Sequence, residues 1–163
     1  YKRSNHFKEI LMQFQAKEMT HISDEQIDKI KAQIKKERIT LDQLTYYKMK
    51  SILKKLGYNK LYEHIAFIKN RLGIKPPYIS PELEDVLYNL FNETLQPYAK
   101  HCSPNRQNYL HYYYTLYKLC ELLGETQYLP LIPMLTDDNN RTEQDIVWEE
   151  ICKELHWQFI PTL

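Results

Sequence analysis

The sequence predicts an all-α fold, a single compact bundle of about seven helices around a central Tyr/Leu-rich helix. Three observations predict it. Apolar residues recur at i, i+3, i+4 and i+7 in seven successive stretches, with no convincing strand between them. Helix-capping residues and helix-ending glycines stand at the edges of those stretches. One stretch, Ser103 to Gly124, is apolar around most of its circumference, as expected of a helix with neighbours on most sides. A chain of 163 residues can bury about 70% of its unfolded surface in one domain, so residues 1–163 read as one helical core domain.

The first helix is written in NHFKEILMQFQAKE, where Phe7, Ile10, Leu11 and Phe14 share a face. Ser23 and Gln26 have capping-box spacing and open a second helix with Ile27, Ile30 and Ile34 inward. The third runs from near Thr45 to Gly57, with Met49, Ile52, Leu53 and Leu56 inward and Lys48, Lys50, Lys54 and Lys55 largely outward. The fourth spans about 59–72, buries Leu61, Ile65, Ile68 and Leu72, and stops at Gly73. Pro76-Pro77 is the one linker-like spot and is short. Ser80-Pro81 starts a deeply apolar fifth helix, which Pro97 is expected to kink or end.

Ser103 and Pro104 supply the cap and first position of the central helix. Its polar stripe is Gln107, His111, Tyr114, Lys118 and Glu121. The other tyrosines read as core rings, which leaves Tyr114 as the one ring placed for contact with a partner. YLPLIPML carries Pro130 and Pro133 and reads as an ordered apolar loop. The last helix covers about 142–156, with Trp148, Ile151, Cys152 and Leu155 on one face.

Familiar catalytic signatures are missing. There is no P-loop, no G-x-G-x-x-G and no H-E-x-x-H, and three glycines leave little for a phosphate-cradling loop. Glu63 and His64 are adjacent on a helix and diverge by about 100°, so they do not form an acid–base pair. Cys102, Cys120 and Cys152 are odd in number and form no C-x-x-C pair; small buried hydrophobes are the expectation. His101-Cys102 with Cys120 fits no zinc module. Asp137, Asp138, Glu143, Asp145, Glu149 and Glu150 have the chemistry of a divalent-cation nuclease site, but a solvated acidic face explains them more simply. The expectation is no catalytic residue, no metal and no membrane span.

Charge carries more information than its total of +1. From Lys29 to Lys60 ten Lys/Arg face Glu37 and Asp42, a balance of +8; from Glu121 to Leu155 nine Asp/Glu face Arg141 and Lys153, a balance of −7. Such a split predicts a basic surface for an anionic partner and an acidic one elsewhere.

Six segments then stand in order: YKRSNHFKEILMQFQAKE, LKKLGYNKLYEHI, PPYISPELE, NRQNYLHYYYTLYKLCELL, YLPLIPML and QDIVWEEICKELHWQFIP. Together they resemble the core of the poxvirus late transcription factor three-like proteins of large DNA viruses, over nearly the whole chain. The matched positions include Lys2, Arg3, Asn5, His6, Lys54, Lys55, Tyr62, Glu63, His64, Arg106, Asn108, Gln144, Asp145 and Trp148.

The resemblance implies a non-enzymatic, trans-acting initiation factor that engages late-promoter DNA, the viral RNA polymerase and other late factors. It implies action in a cytoplasmic viral factory or the nucleus of the host cell, or packaging in the virion, and no secretion. Zinc in that family belongs to an amino-terminal cysteine-rich segment, so no cofactor is expected within these residues. Where relatives tend to carry lysines, this chain has Thr136-Asp137-Asp138 and Glu149-Glu150. The expected nucleic-acid surface is therefore Lys2, Arg3, Lys35, Lys36, Arg38, Lys48, Lys50, Lys54, Lys55 and Arg106, and the expected protein-partner surface is Asp137, Asp138, Glu149 and Glu150. The alternatives are an interaction module of the viral transcription machinery that does not bind DNA and, more distantly, a metal-dependent nuclease.

Overall fold

A computed structural model describes residues 2–18, 20–102, 110–135 and 138–162, with the backbone alone at Asp138. The described residues form seven α-helices and three short 3-10 segments, with no strand among them. The helices group into two compact units. One is contiguous, Leu11–Tyr78; the other joins Tyr1–Ile10 to Ile79–Leu163. The first boundary lies inside α1 (Arg3–Phe14), and the second follows Pro76-Pro77.

The contiguous unit is built on α2 (Asp24–Lys36), α3 (Tyr46–Lys55) and α4 (Ile65–Arg71). Ser23 and Gln26 form the capping box, and the Thr45 hydroxyl accepts from the Lys48 backbone N–H at 3.1 Å. Both caps serve N–H groups that have no partner inside the helix. Ile27, Ile30, Ile34, Met49, Ile52, Leu53, Ile65 and Ile68 make the core, with Leu56, Leu61 and Leu72 packed partly buried against it. Gly57 ends the α3 segment at φ +75°, a conformation that costs a residue with a Cβ. The backbone N–H of Tyr58 then reaches back 2.8 Å to the Leu53 carbonyl. No side chain caps the next segment, and its first turns, Asn59–His64, are tightened into 3-10 geometry before α4 begins. The single helix expected over 59–72 is thus two pieces.

In the other unit, α5 (Pro81–His101) starts where Ser80 accepts from the Leu83 N–H at 3.1 Å. Pro97 does not end it. The helix runs on to His101 with the Pro97 ring buried, so packing offsets the missing N–H bond. The central helix, α6 (Tyr112–Leu122), is shorter than its sequence suggests. Its expected cap at Ser103 and Pro104 falls outside the described residues. The observed start has two causes: the His111 N–H donates to Gln144 of another helix at 3.0 Å, and the His111 ring accepts from the Tyr114 N–H. YLPLIPML contributes to a 3-10 segment, Thr126–Leu131, that buries Tyr128. Then α7 (Asp138–Leu155) begins a turn earlier than its periodicity predicts and stops at His156, where φ is +60°. The core of this unit includes Phe7 stacked on Phe91 at 4.3 Å, with Leu116, Leu119, Cys120, Trp148, Ile151 and Cys152.

Candidate nucleic-acid interface

The charge split follows the division into units. Leu11–Tyr78 contains fourteen Lys/Arg and seven Asp/Glu, a balance of +7, which leaves −6 for the other unit out of the total of +1. The densest part of the basic unit is where the end of α2 meets α3. Lys35, Lys36 and Arg38 are exposed at the carboxy-terminal end of α2; Lys54 and Lys55 are exposed in the last turn of α3, and Lys50 one turn before. Cations there also complement the helix dipoles, which is the ordinary structural reason for lysine at such ends.

Two lysines of this unit converge on one carboxylate, Glu37. The Gln33 amide donates to its Oε2 at 2.7 Å, while the ammonium groups of Lys48 and Lys55 both reach its Oε1 at 3.1 Å. These bonds, that of Gln33 first, hold the Glu37 carboxyl down at about 2. Glu37 therefore fixes two of the predicted lysines at a common point and leaves Lys35, Lys36, Arg38, Lys50 and Lys54 on the open surface. Lys50 sits over the Tyr62 ring, 5.2 Å from its centroid. Neither the hub role of Glu37 nor the exposure of Tyr47 follows from the sequence; the one signal is that Glu37 is the lone acid in KKER.

Lys2 and Arg3 belong to the other unit. Lys2 is exposed, whereas Arg3 is half-buried, its guanidinium 5.2 Å from the centre of the buried Tyr98 ring, which makes it a packing group. Arg106 and Asp137 lie outside the described residues, as does the Asp138 side chain. Glu149 and Glu150 are half-buried on α7, and Glu150 pairs with Lys153 at 3.3 Å.

Comparison with known proteins places the chain. The family described as Poxvirus Late Transcription Factor VLTF3 like matches residues 1–159. The chain belongs to this family. It is 44% identical over 165 residues to the "Putative transcription factor A494R" of Paramecium bursaria Chlorella virus 1, a match covering all of this chain and 46% of that protein. It is 39% identical over 164 residues to the "Putative transcription factor R429" of Acanthamoeba polyphaga mimivirus, covering all of this chain and 38% of the relative. A second mimivirus protein, the "Putative transcription factor R430", is 29% identical over 138 residues, or 83% of this chain and 53% of that one. The chain thus spans less than half the length of the first two relatives. No solved structure matches it.

Several motif positions of this family member turn out to build its interior. Gln144 holds the start of α6. Asp145 accepts from the Tyr114 hydroxyl, from the Thr162 hydroxyl at 2.6 Å and from the Thr162 N–H at 2.8 Å. Trp148 meets the Tyr114 ring edge-on at 6.4 Å. His64 lies 2.8 Å from Glu18, and Glu63 points to solvent, so the adjacent pair is indeed divided.

The polar stripe of α6 is the main correction. Tyr114 is fully buried and Lys118 is 2% exposed, because the segment after α7 crosses that stripe. The Lys118 ammonium donates to Glu121 at 3.1 Å and to the Ile160 carbonyl, with the Phe159 ring 5.8 Å away. Burial, with Asp145 second, pushes the Tyr114 hydroxyl far above its usual range, so this ring is not a surface for a partner. Cys120 and Cys152 are buried, and burial raises their thiols to about 12 and about 11. Among the described residues no group of three or more His, Cys, Asp or Glu is placed to hold a metal ion, and no helix is long and apolar enough to cross a membrane.

Proposed function

We propose that this chain acts as the helical core of a non-enzymatic viral late transcription factor, in which the α2–α3 basic face lies along promoter DNA. The acidic unit, through Glu149 and Glu150 with Asp137 and Asp138, offers the surface for a protein partner, the viral RNA polymerase or another late factor. The work takes place wherever the virus transcribes, in a cytoplasmic factory or the nucleus of the host cell. The observation that carries the reading is the coincidence of charge with structure: one contiguous unit holds the whole positive excess and exposes Lys35, Lys36, Arg38, Lys50 and Lys54 at the end of α2 and along α3. A surface of this kind neutralises phosphates and contributes affinity with little base specificity.

Duplex DNA binding by fluorescence anisotropy over a salt series tests it. Wild type is expected to show a steep logarithmic salt slope of about 0.9 per phosphate contacted. Changing Lys48, Lys50, Lys54 and Lys55 together to Glu is expected to abolish binding; equal binding by the two proteins would remove the proposal. One observation favours a second reading, an adaptor that never touches DNA: Lys48 and Lys55 are already engaged by Glu37. A stable complex with viral polymerase beside undetectable binding of any duplex would decide for the adaptor.

A further inference from the structure

We propose that the outward face of α3 takes unpaired DNA, with a base stacked on the Tyr47 ring and the backbone phosphates on Lys50 and Lys54. The proposal rests on the DNA reading above and narrows it from a phosphate-binding surface to one that selects a melted strand. Met49, Ile52 and Leu53 are fully buried and fix the inward side of the helix. At about 100° per residue, Tyr47 then falls at the middle of the solvent side, with Lys54 roughly 20° and Lys50 roughly 60° from it.

Tyr47 is 42% exposed. The Tyr46 ring stands at 89° to it, 5.2 Å away, and steadies it from the side. Lys50 is itself held over Tyr62, whose hydroxyl donates to Asn59 at 3.0 Å, so this cation has a defined place beside the exposed ring. A duplex presents phosphates and groove edges and keeps its base faces stacked inside, so an exposed ring adds nothing to duplex binding. A single strand offers both a base face for the ring and a phosphate for each lysine, the combination that sequence-tolerant single-strand binders use.

The test uses the full chain and a labelled mixed-sequence oligonucleotide, single-stranded and as its duplex, read by anisotropy at one salt concentration. Tyr47→Ala is expected to weaken single-strand binding by about 5- to 150-fold, with Tyr47→Phe close to wild type and duplex binding unchanged in both. Thermal melts that superimpose establish that the exposed site tolerates the changes. Unchanged single-strand binding by Tyr47→Ala, or equal losses on single strand and duplex, overturns the inference. The quadruple Lys→Glu variant separates the two failures. If it abolishes duplex binding while Tyr47→Ala does nothing, stacking falls and the function stands; if it changes nothing, the DNA reading falls and takes this inference with it.

Discussion

Replacing Lys118 by methionine isolates an ammonium group that the fold takes out of water. The substitution keeps most of the stem's volume and deletes the charge, so what is lost is the pair with Glu121 and the bond to the Ile160 carbonyl. Removing one member of a fully buried ion pair costs about 3–5 kcal/mol, because the remaining charge has no partner. The Glu121 side chain keeps 18% of its exposure, so water serves part of its need and the lower end applies. The orphaned carbonyl adds about 1 kcal/mol. A loss of roughly 3–4 kcal/mol is therefore expected.

Urea unfolding followed by tryptophan fluorescence reads the loss directly, since both tryptophans, Trp148 and Trp157, belong to the same unit as Lys118. The companion variant Lys118→Met with Glu121→Leu should recover about 2 kcal/mol, because an apolar pair in place of a buried ion pair is neutral or better. Refutation is simple. A cost for Lys118→Met below about 0.5 kcal/mol, the range of ordinary surface changes, or a double variant in which the losses merely add, would mean that the segment from Trp157 to Thr162 does not cover α6.

Two further outcomes can be measured. Glu37→Gln releases Lys48 and Lys55, so duplex DNA binding should tighten and the logarithmic salt slope should steepen by about one to two; a weaker slope would show that Glu37 positions these lysines productively. Stability should also fall as pH rises above about 9. The unfolded Cys120 thiol, ordinarily at 9.0, loses its proton there while the folded one at about 12 keeps it, so the unfolded state binds fewer protons and is favoured; Cys120→Ala should flatten that limb in urea midpoints across pH.

What could be read from sequence was what depends on neighbours in sequence. Ser23 with Gln26, Thr45, Ser80 and the glycines at 57, 73 and 124 act within a turn of their own position, and each stands where the sequence placed it. The isoleucine seam of α2 and the inward face of α3 follow from periodicity alone. Lys118 and Tyr114 escaped because their environment comes from residues 42 and 31 positions away. The delayed start of α6 escaped for a similar reason, since Gln144 on another helix captures the His111 N–H. In the basic face, the identity of the cations was legible from composition, but their division into Lys48 and Lys55 clamped on Glu37 and the rest left open is set by how α3 packs beside the end of α2.

The two boundaries, at Ile10/Leu11 and at Tyr78/Ile79, have a consequence for biosynthesis. A ribosome delivers the contiguous basic unit whole, and its main apolar cluster is drawn from residues between Ile22 and Ile74. That unit can close while the remainder is still being translated. Phe7 emerges before the basic unit, yet its stacking partner, Phe91, arrives more than eighty residues later. The Phe7 segment must therefore wait, its aromatic face unpaired while the whole basic unit is made, and the acidic unit is completed only after the basic one.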